Sequence, residues 1–128
     1  MSNSLTAELR AALIPDPGLI VITAGNPFRR DDGVGPYLSE RLQGVPGLAV
    51  IPAGQNPENI VDEVLARRPT RVLVIDAADF GGRPGELRLL AAEQIPSCTL
   101  STHLIPLNVI TALIQSETGA AVTFLGIQ

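Results

Sequence analysis

At 128 residues, with 45% apolar and only 17% charged side chains, the chain is sized and composed for one domain with a true core, which excludes intrinsic disorder. Its net charge of −4, the lack of Trp and an aromatic content of 3% argue against a nucleic-acid surface, an anionic-membrane surface and a base-stacking platform. Cys98 is the single cysteine, no apolar run approaches a membrane span, and Met1-Ser2-Asn3-Ser4 lacks a signal-peptide pattern, so a reducing, cytoplasmic address is expected.

In chain order, Ser4 is placed to cap a leading helix over 4–14, with Leu5, Leu9, Ala12 and Leu13 on one side. Pro15-Asp16-Pro17-Gly18 ends it, and Leu19–Ala24 reads as a buried strand that opens a core spanning 19–128. A glycine-rich loop follows. Pro36 suits the first turn of the next helix, whose Val34, Leu38 and Leu42 share a face before Gly44 and Pro46 stop it. A short strand is expected at 48–51, then a helix begun by Asn56-Pro57-Glu58 with Ile60, Val61, Val64 and Leu65 inward.

The third strand is expected at Arg71–Ile75, with Asp76 at its carboxyl end. Gly81-Gly82-Arg83-Pro84-Gly85 is a loop, and the link to a strand at Glu86–Leu90 is too short for a crossover helix, which predicts an antiparallel strand. The last helix is expected over Thr102–Ile114, with its regular part from near Ile105 because of Pro106 and with Leu107, Ile110, Leu113 and Ile114 inward; a final strand covers Ala121–Gly126. The order predicts a three-layer α/β/α sandwich with a mostly parallel five-stranded sheet. The chain stops directly after that strand, which predicts a truncated single domain lacking a C-terminal helix. An apolar area on the order of several hundred Å² is then expected to lie open and to drive self-association of the 128-residue form.

The loop Gly25-Asn26-Pro27-Phe28-Arg29-Arg30-Asp31-Asp32-Gly33-Val34-Gly35 carries two adjacent carboxylates at the end of a strand, where open α/β sheets bind their ligands. Carboxylates suit a cation or a peptide and repel phosphate. Strands one and three are neighbours in this topology, so Asp32 and Asp76 can converge. His103, the one histidine, follows Ser101 near the start of the last helix, whose positive dipole end favours the neutral imidazole that a metal requires. Two carboxylates and an imidazole form a set that Zn, Ni, Mn or Fe accepts.

Each residue also has a plainer reading. Asp31 or Asp32 can cap the following helix, Asp76 can bond its own turn, and His103 can be structural. Gln55, Asn56, Glu58 and Asn59 can be only a helix start, and Arg29 and Arg30 a solvated rim. Cys98 reads as packing. Gly33-x-Gly35 lacks the third glycine of a dinucleotide fingerprint, and no Gly-x-Ser-x-Gly elbow exists. Three chemically suited residues on one side of a sheet favour a site. Beside an enzyme, a non-catalytic nickel- or precursor-binding module and a small-ligand-binding Rossmann-like domain stay open.

The same carboxylate loop, Val74-Ile75-Asp76-Ala77-Ala78-Asp79-Phe80, Pro84-Gly85-Glu86, Ser101-Thr102-His103 and Phe124-Leu125-Gly126-Ile127-Gln128 together resemble the [NiFe]-hydrogenase maturation endopeptidases over about residues 19–128. Gly54-Gln55-Asn56-Pro57-Glu58-Asn59 is similar to the branch serving formate-hydrogenlyase-type hydrogenases. The resemblance implies an aspartic-type endopeptidase that removes the C-terminal extension of a hydrogenase large-subunit precursor once nickel has been inserted. Asp32, Asp76 and His103 match the family's metal-contacting positions. Asp32 and Asp76 are also the natural catalytic groups. The resemblance implies no cofactor of the protein's own, the nickel arriving with the precursor; with a C-terminal helix restored over the sheet, the full-length protein is expected to be a monomer. Members usually continue past Gln128 with a further loop and a helix, and many lack the leading helix.

Overall fold

The centre of the molecule is a sheet of aliphatic runs. The structure, a computed structural model, describes residues 3–12, 14, 17–25, 34–54, 57–91, 99–100 and 107–128. Strand β1 (Leu19–Ala24) is buried at every position, as a strand covered on both faces must be. It pairs in parallel with β2 (Ala49–Gly54) on one side and β3 (Arg71–Asp79) on the other. Beyond β3 lies β6 (Ala121–Ile127), also parallel, and then β4 (Leu87–Ala91), antiparallel as its short connection requires. The order is β2-β1-β3-β6-β4, with a two-residue strand β5 (Thr99–Leu100) pairing with the far end of β3.

Helices fill the two outer layers. On one face α3 (Val61–Arg67), entered through a 3₁₀ turn (Pro57–Ile60), and α4 (Leu107–Thr118) place Ile60, Val64, Ile110 and Ile114 against Ile20, Ile22, Val72, Val74, Val122 and Phe124. On the other, α1 (Asn3–Ala12) and α2 (Val34–Leu42) set Leu9, Leu38 and Leu42 against Leu19, Val21, Leu73, Ile75 and Leu125. The three-layer α/β/α architecture with five principal strands is therefore present.

Several boundaries differ from expectation, each for a physical reason. β2 runs on to Gly54 through Pro52, which an edge strand tolerates because no donor is needed on its open side. β3 continues four residues past Ile75 because β6 pairs with it through Ala77 and β5 with Ala78 and Asp79. The α1 segment begins at Asn3, so Ser4 lies inside the helix instead of capping it. α4 extends to Thr118, beyond the last apolar turn, because its end is built from polar groups. There the Thr118 hydroxyl donates to Ile114 O (2.6 Å), and Gly119, at φ 72°, donates its N–H to Gln115 O (2.8 Å). Leu113, expected inward, is exposed.

Part of the apolar surface at the outer strands is covered by the leading helix. α1 packs beside β4, and its Leu9 joins a cluster with Leu87, Leu89, Leu125 and Ile127. Arg71 secures the helix end, its guanidinium donating to Ala11 O (3.3 Å) and Ile14 O (2.9 Å). The leading helix thus covers part of the apolar surface from which self-association is expected.

Candidate functional site

The chain runs from β1 outward to β2 and then crosses back to β3, so the strand order reverses between β1 and β3. Their carboxyl ends define the switch point at which such sheets bind ligands. β1 ends there at Gly25, whose φ of 135° favours glycine and whose N–H donates to Gly54 O (2.8 Å), tying the ends of β1 and β2 together.

Asp76 belongs to this point. The last β1–β3 register pair is Thr23 with Ile75, so Asp76 is the next β3 residue, beyond the stretch paired with β1, while on its other side it stands in register with Gly126. Side chains alternate along a strand, and Val72 and Val74 belong to the α3/α4 face, so Asp76 continues that face. It is only 1% exposed. It is not at the carboxyl end of the strand, as expected, but within β3, because β6 accompanies β3 to Ala77. A carboxyl group this deep is retained where it is hydrogen-bonded, paired or used, since burial of a bare charge is costly.

Asp32 and His103, the other two proposed metal contacts, lie outside the described residues, as do Arg29, Arg30, Asp31, Gln55, Asn56, Cys98 and Ser101. Among the described residues no group of three His, Cys, Asp or Glu side chains could hold a metal ion, and no helix is long and apolar enough to cross a membrane.

Three features at this edge escaped sequence reasoning. Among the described residues, Thr23 Oγ1 and Glu58 Oε2 are buried side-chain atoms without a hydrogen-bond partner. Thr23 is the one polar residue in an otherwise aliphatic strand, a signal that was present. Glu58 reads in sequence as a helix-start acid, and its inward oxygen had no separate signature.

The third is the order of the 80–86 loop, which joins β3 to β4. Glu86 Oε1 accepts the Arg83 N–H (3.1 Å), and Oε2 receives Arg88 (2.8 Å), whose guanidinium lies 4.4 Å over the Phe80 ring. The Arg83 amide, then Arg88, hold the Glu86 carboxyl below its ordinary value. Nothing in sequence periodicity foretells this.

The architecture is that of a doubly wound α/β enzyme whose switch point carries a buried carboxylate. A HycI hydrogenase maturation protease family profile matches residues 34–128. The hydrogenase 3 maturation protease of Escherichia coli (strain K12) is 37% identical over 112 residues, which cover 85% of this chain and 71% of that protein. The crystal structure of HycI from Thermococcus kodakarensis KOD1, a [NiFe] hydrogenase maturation protease, superposes with a TM-score of 0.81 at 28% identity, covering 94% of this chain and 80% of that one. The solution structure of the endopeptidase HycI from Escherichia coli gives 0.76 at 37% identity, covering 86% and 72%. This chain belongs to the hydrogenase maturation protease family.

Proposed function

We propose that the chain is an aspartic-type endopeptidase that removes the C-terminal extension of a [NiFe]-hydrogenase large-subunit precursor after nickel insertion. The observation that carries the reading is Asp76, a carboxyl group 1% exposed at the switch point of a hydrogenase maturation protease. In this reading Asp32, Asp76 and His103 contact the nickel that the precursor already holds, and the chain needs no cofactor of its own. The metal is part of the substrate, and its presence licenses the cut.

The chemistry asked of the chain is acid–base hydrolysis. One of the two carboxylates, Asp32 or Asp76, takes a proton from water as the water oxygen attacks the scissile carbonyl. The proton then passes to the departing amine nitrogen as the C–N bond breaks. A buried carboxyl suits the task because exclusion of water strengthens its interaction with developing charge. The reading places the protein in the cytoplasm with its precursor.

The test is to mix the purified chain with its precursor, with and without nickel, and to follow the precursor's size. Shortening of the nickel-loaded form alone supports the reading. Binding without shortening would favour a non-catalytic precursor-binding module, and tight nucleotide binding a Rossmann-like ligand domain.

A further inference from the structure

Gln128, directly after β6, ties the 80–86 loop to the sheet through four hydrogen bonds. Its main-chain N–H donates to Glu86 O (2.9 Å), and its carbonyl accepts from the Gly85 N–H (2.8 Å). Its side-chain Oε1 accepts both the Phe80 N–H (3.0 Å) and the Gly82 N–H (3.0 Å). One side-chain oxygen therefore satisfies two loop amides that a free loop would give to water. Gly82 is in turn hemmed in, since a Cβ there would stand 2.4 Å from the Phe80 ring. Glu86 and Arg88 brace the loop from its other end.

This bracing is more than loop closure demands, because a surface connection of this length needs no side-chain clamp. Its position gives the reason. Phe80 follows Asp76 by four residues, directly after β3, and Gly126, two residues before Gln128, is the register partner of Asp76. The loop bridges the carboxyl ends of β3 and β6, on the edge where β1 stops beside Asp76. Gly81, Arg83, Pro84 and Gly85 are exposed along it.

We infer that Gln128 is a positioning residue for precursor binding, holding the 80–86 loop as a rigid wall for the segment presented to Asp76. This rests on the reading that a hydrogenase precursor is the substrate. Because Oε1 serves the two amides only as an acceptor, a carboxylate does the same work, and a side chain of equal size without oxygen does not.

Steady-state processing of the nickel-loaded precursor by the wild-type chain, Gln128→Glu and Gln128→Leu tests this, together with amide hydrogen exchange at Phe80 and Gly82. Gln128→Leu is expected to raise KM about tenfold with kcat within about twofold, and to speed exchange at both amides. Gln128→Glu is expected to stay near wild type in both. If Gln128→Leu does not fold, Gln128→Asn, too short to reach both amides, carries the same expectation. Fast exchange with an unchanged KM overturns the inference, as does a fall in kcat alone or a Gln128→Glu variant as impaired as Gln128→Leu. Failure of the wild-type chain to shorten the precursor overturns the proposed function, and this inference with it.

Discussion

The two faces of the sheet are built to different standards. On the α3/α4 side, fifteen of the described residues form a buried apolar cluster, so that face behaves as a close-packed interior. On the α1/α2 side the buried cluster has five of the described residues, surrounded by half-buried ones such as Leu9, Leu38, Leu87 and Leu89. The candidate site uses both in different ways. Asp76 extends the tightly packed face, which holds a costly buried carboxyl in place. The Asp32 loop leads into α2 on the looser face. Rigidity is placed behind the buried acid.

The largest expected effect is on the packed face. Phe124→Ala should cost about 3–5 kcal/mol in chemical unfolding, because the ring is fully buried among Ile, Val and Leu. Leu9→Ala on the other face should cost only about 1 kcal/mol, since its side chain is half-buried. Equal losses would erase the contrast.

Arg71→Met removes the two bonds to the end of α1 and should loosen that helix at a global cost of about 1 kcal/mol. Amide exchange confined to residues 3–12 would report it. Paired with Leu9→Asp, it should uncover the α1 side of the sheet and make the chain self-associate in sedimentation more than the wild-type chain does.

Smaller still is Thr23→Val, which exchanges an unpartnered buried hydroxyl for a methyl group of similar size. It should leave stability unchanged or raise it by up to about 1 kcal/mol, so a clear loss would show that the hydroxyl has a structural partner. The most local effect concerns pH. The Glu86 carboxyl is held below its ordinary value of 4.5, so the folded loop binds fewer protons than the unfolded chain there. Its contribution is present above that value and fades as pH falls through the lower folded one. An NMR titration should show the Arg83 amide released only in that acid range.

Much of this was legible in the residues. The unbroken apolar run Leu19–Ala24 announced a strand buried on both faces, and the short link after Asp76 announced an antiparallel strand; both are as expected. What could not be read depends on pairing between distant segments. β3 continues past Ile75 because of β6, and Asp76 is buried for the same reason, yet nothing between Arg71 and Asp79 states it. Leu113 carries the right chemistry for the core but faces away, because α4 meets the sheet through Ile110 and Ile114. At the candidate site, the residue type and strand position of Asp76 are legible in the sequence, whereas Gln128 stands there only as part of a closing motif. Its role emerges when the end of β6 is seen beside the 80–86 loop.

Asp76 is the residue proposed to act in cutting a nickel-loaded precursor. Its burial makes Asp76→Ala a poor probe, since a cavity confounds the result, and Asp76→Asn keeps the shape while removing the charge. The direct measurement is the size of the nickel-loaded large-subunit precursor after incubation with wild-type chain or Asp76→Asn, with thermal unfolding recorded for both. The wild-type chain should yield a shortened precursor, and a folded Asp76→Asn variant should leave it at full length. Shortening at the wild-type rate by that variant would contradict the proposed role.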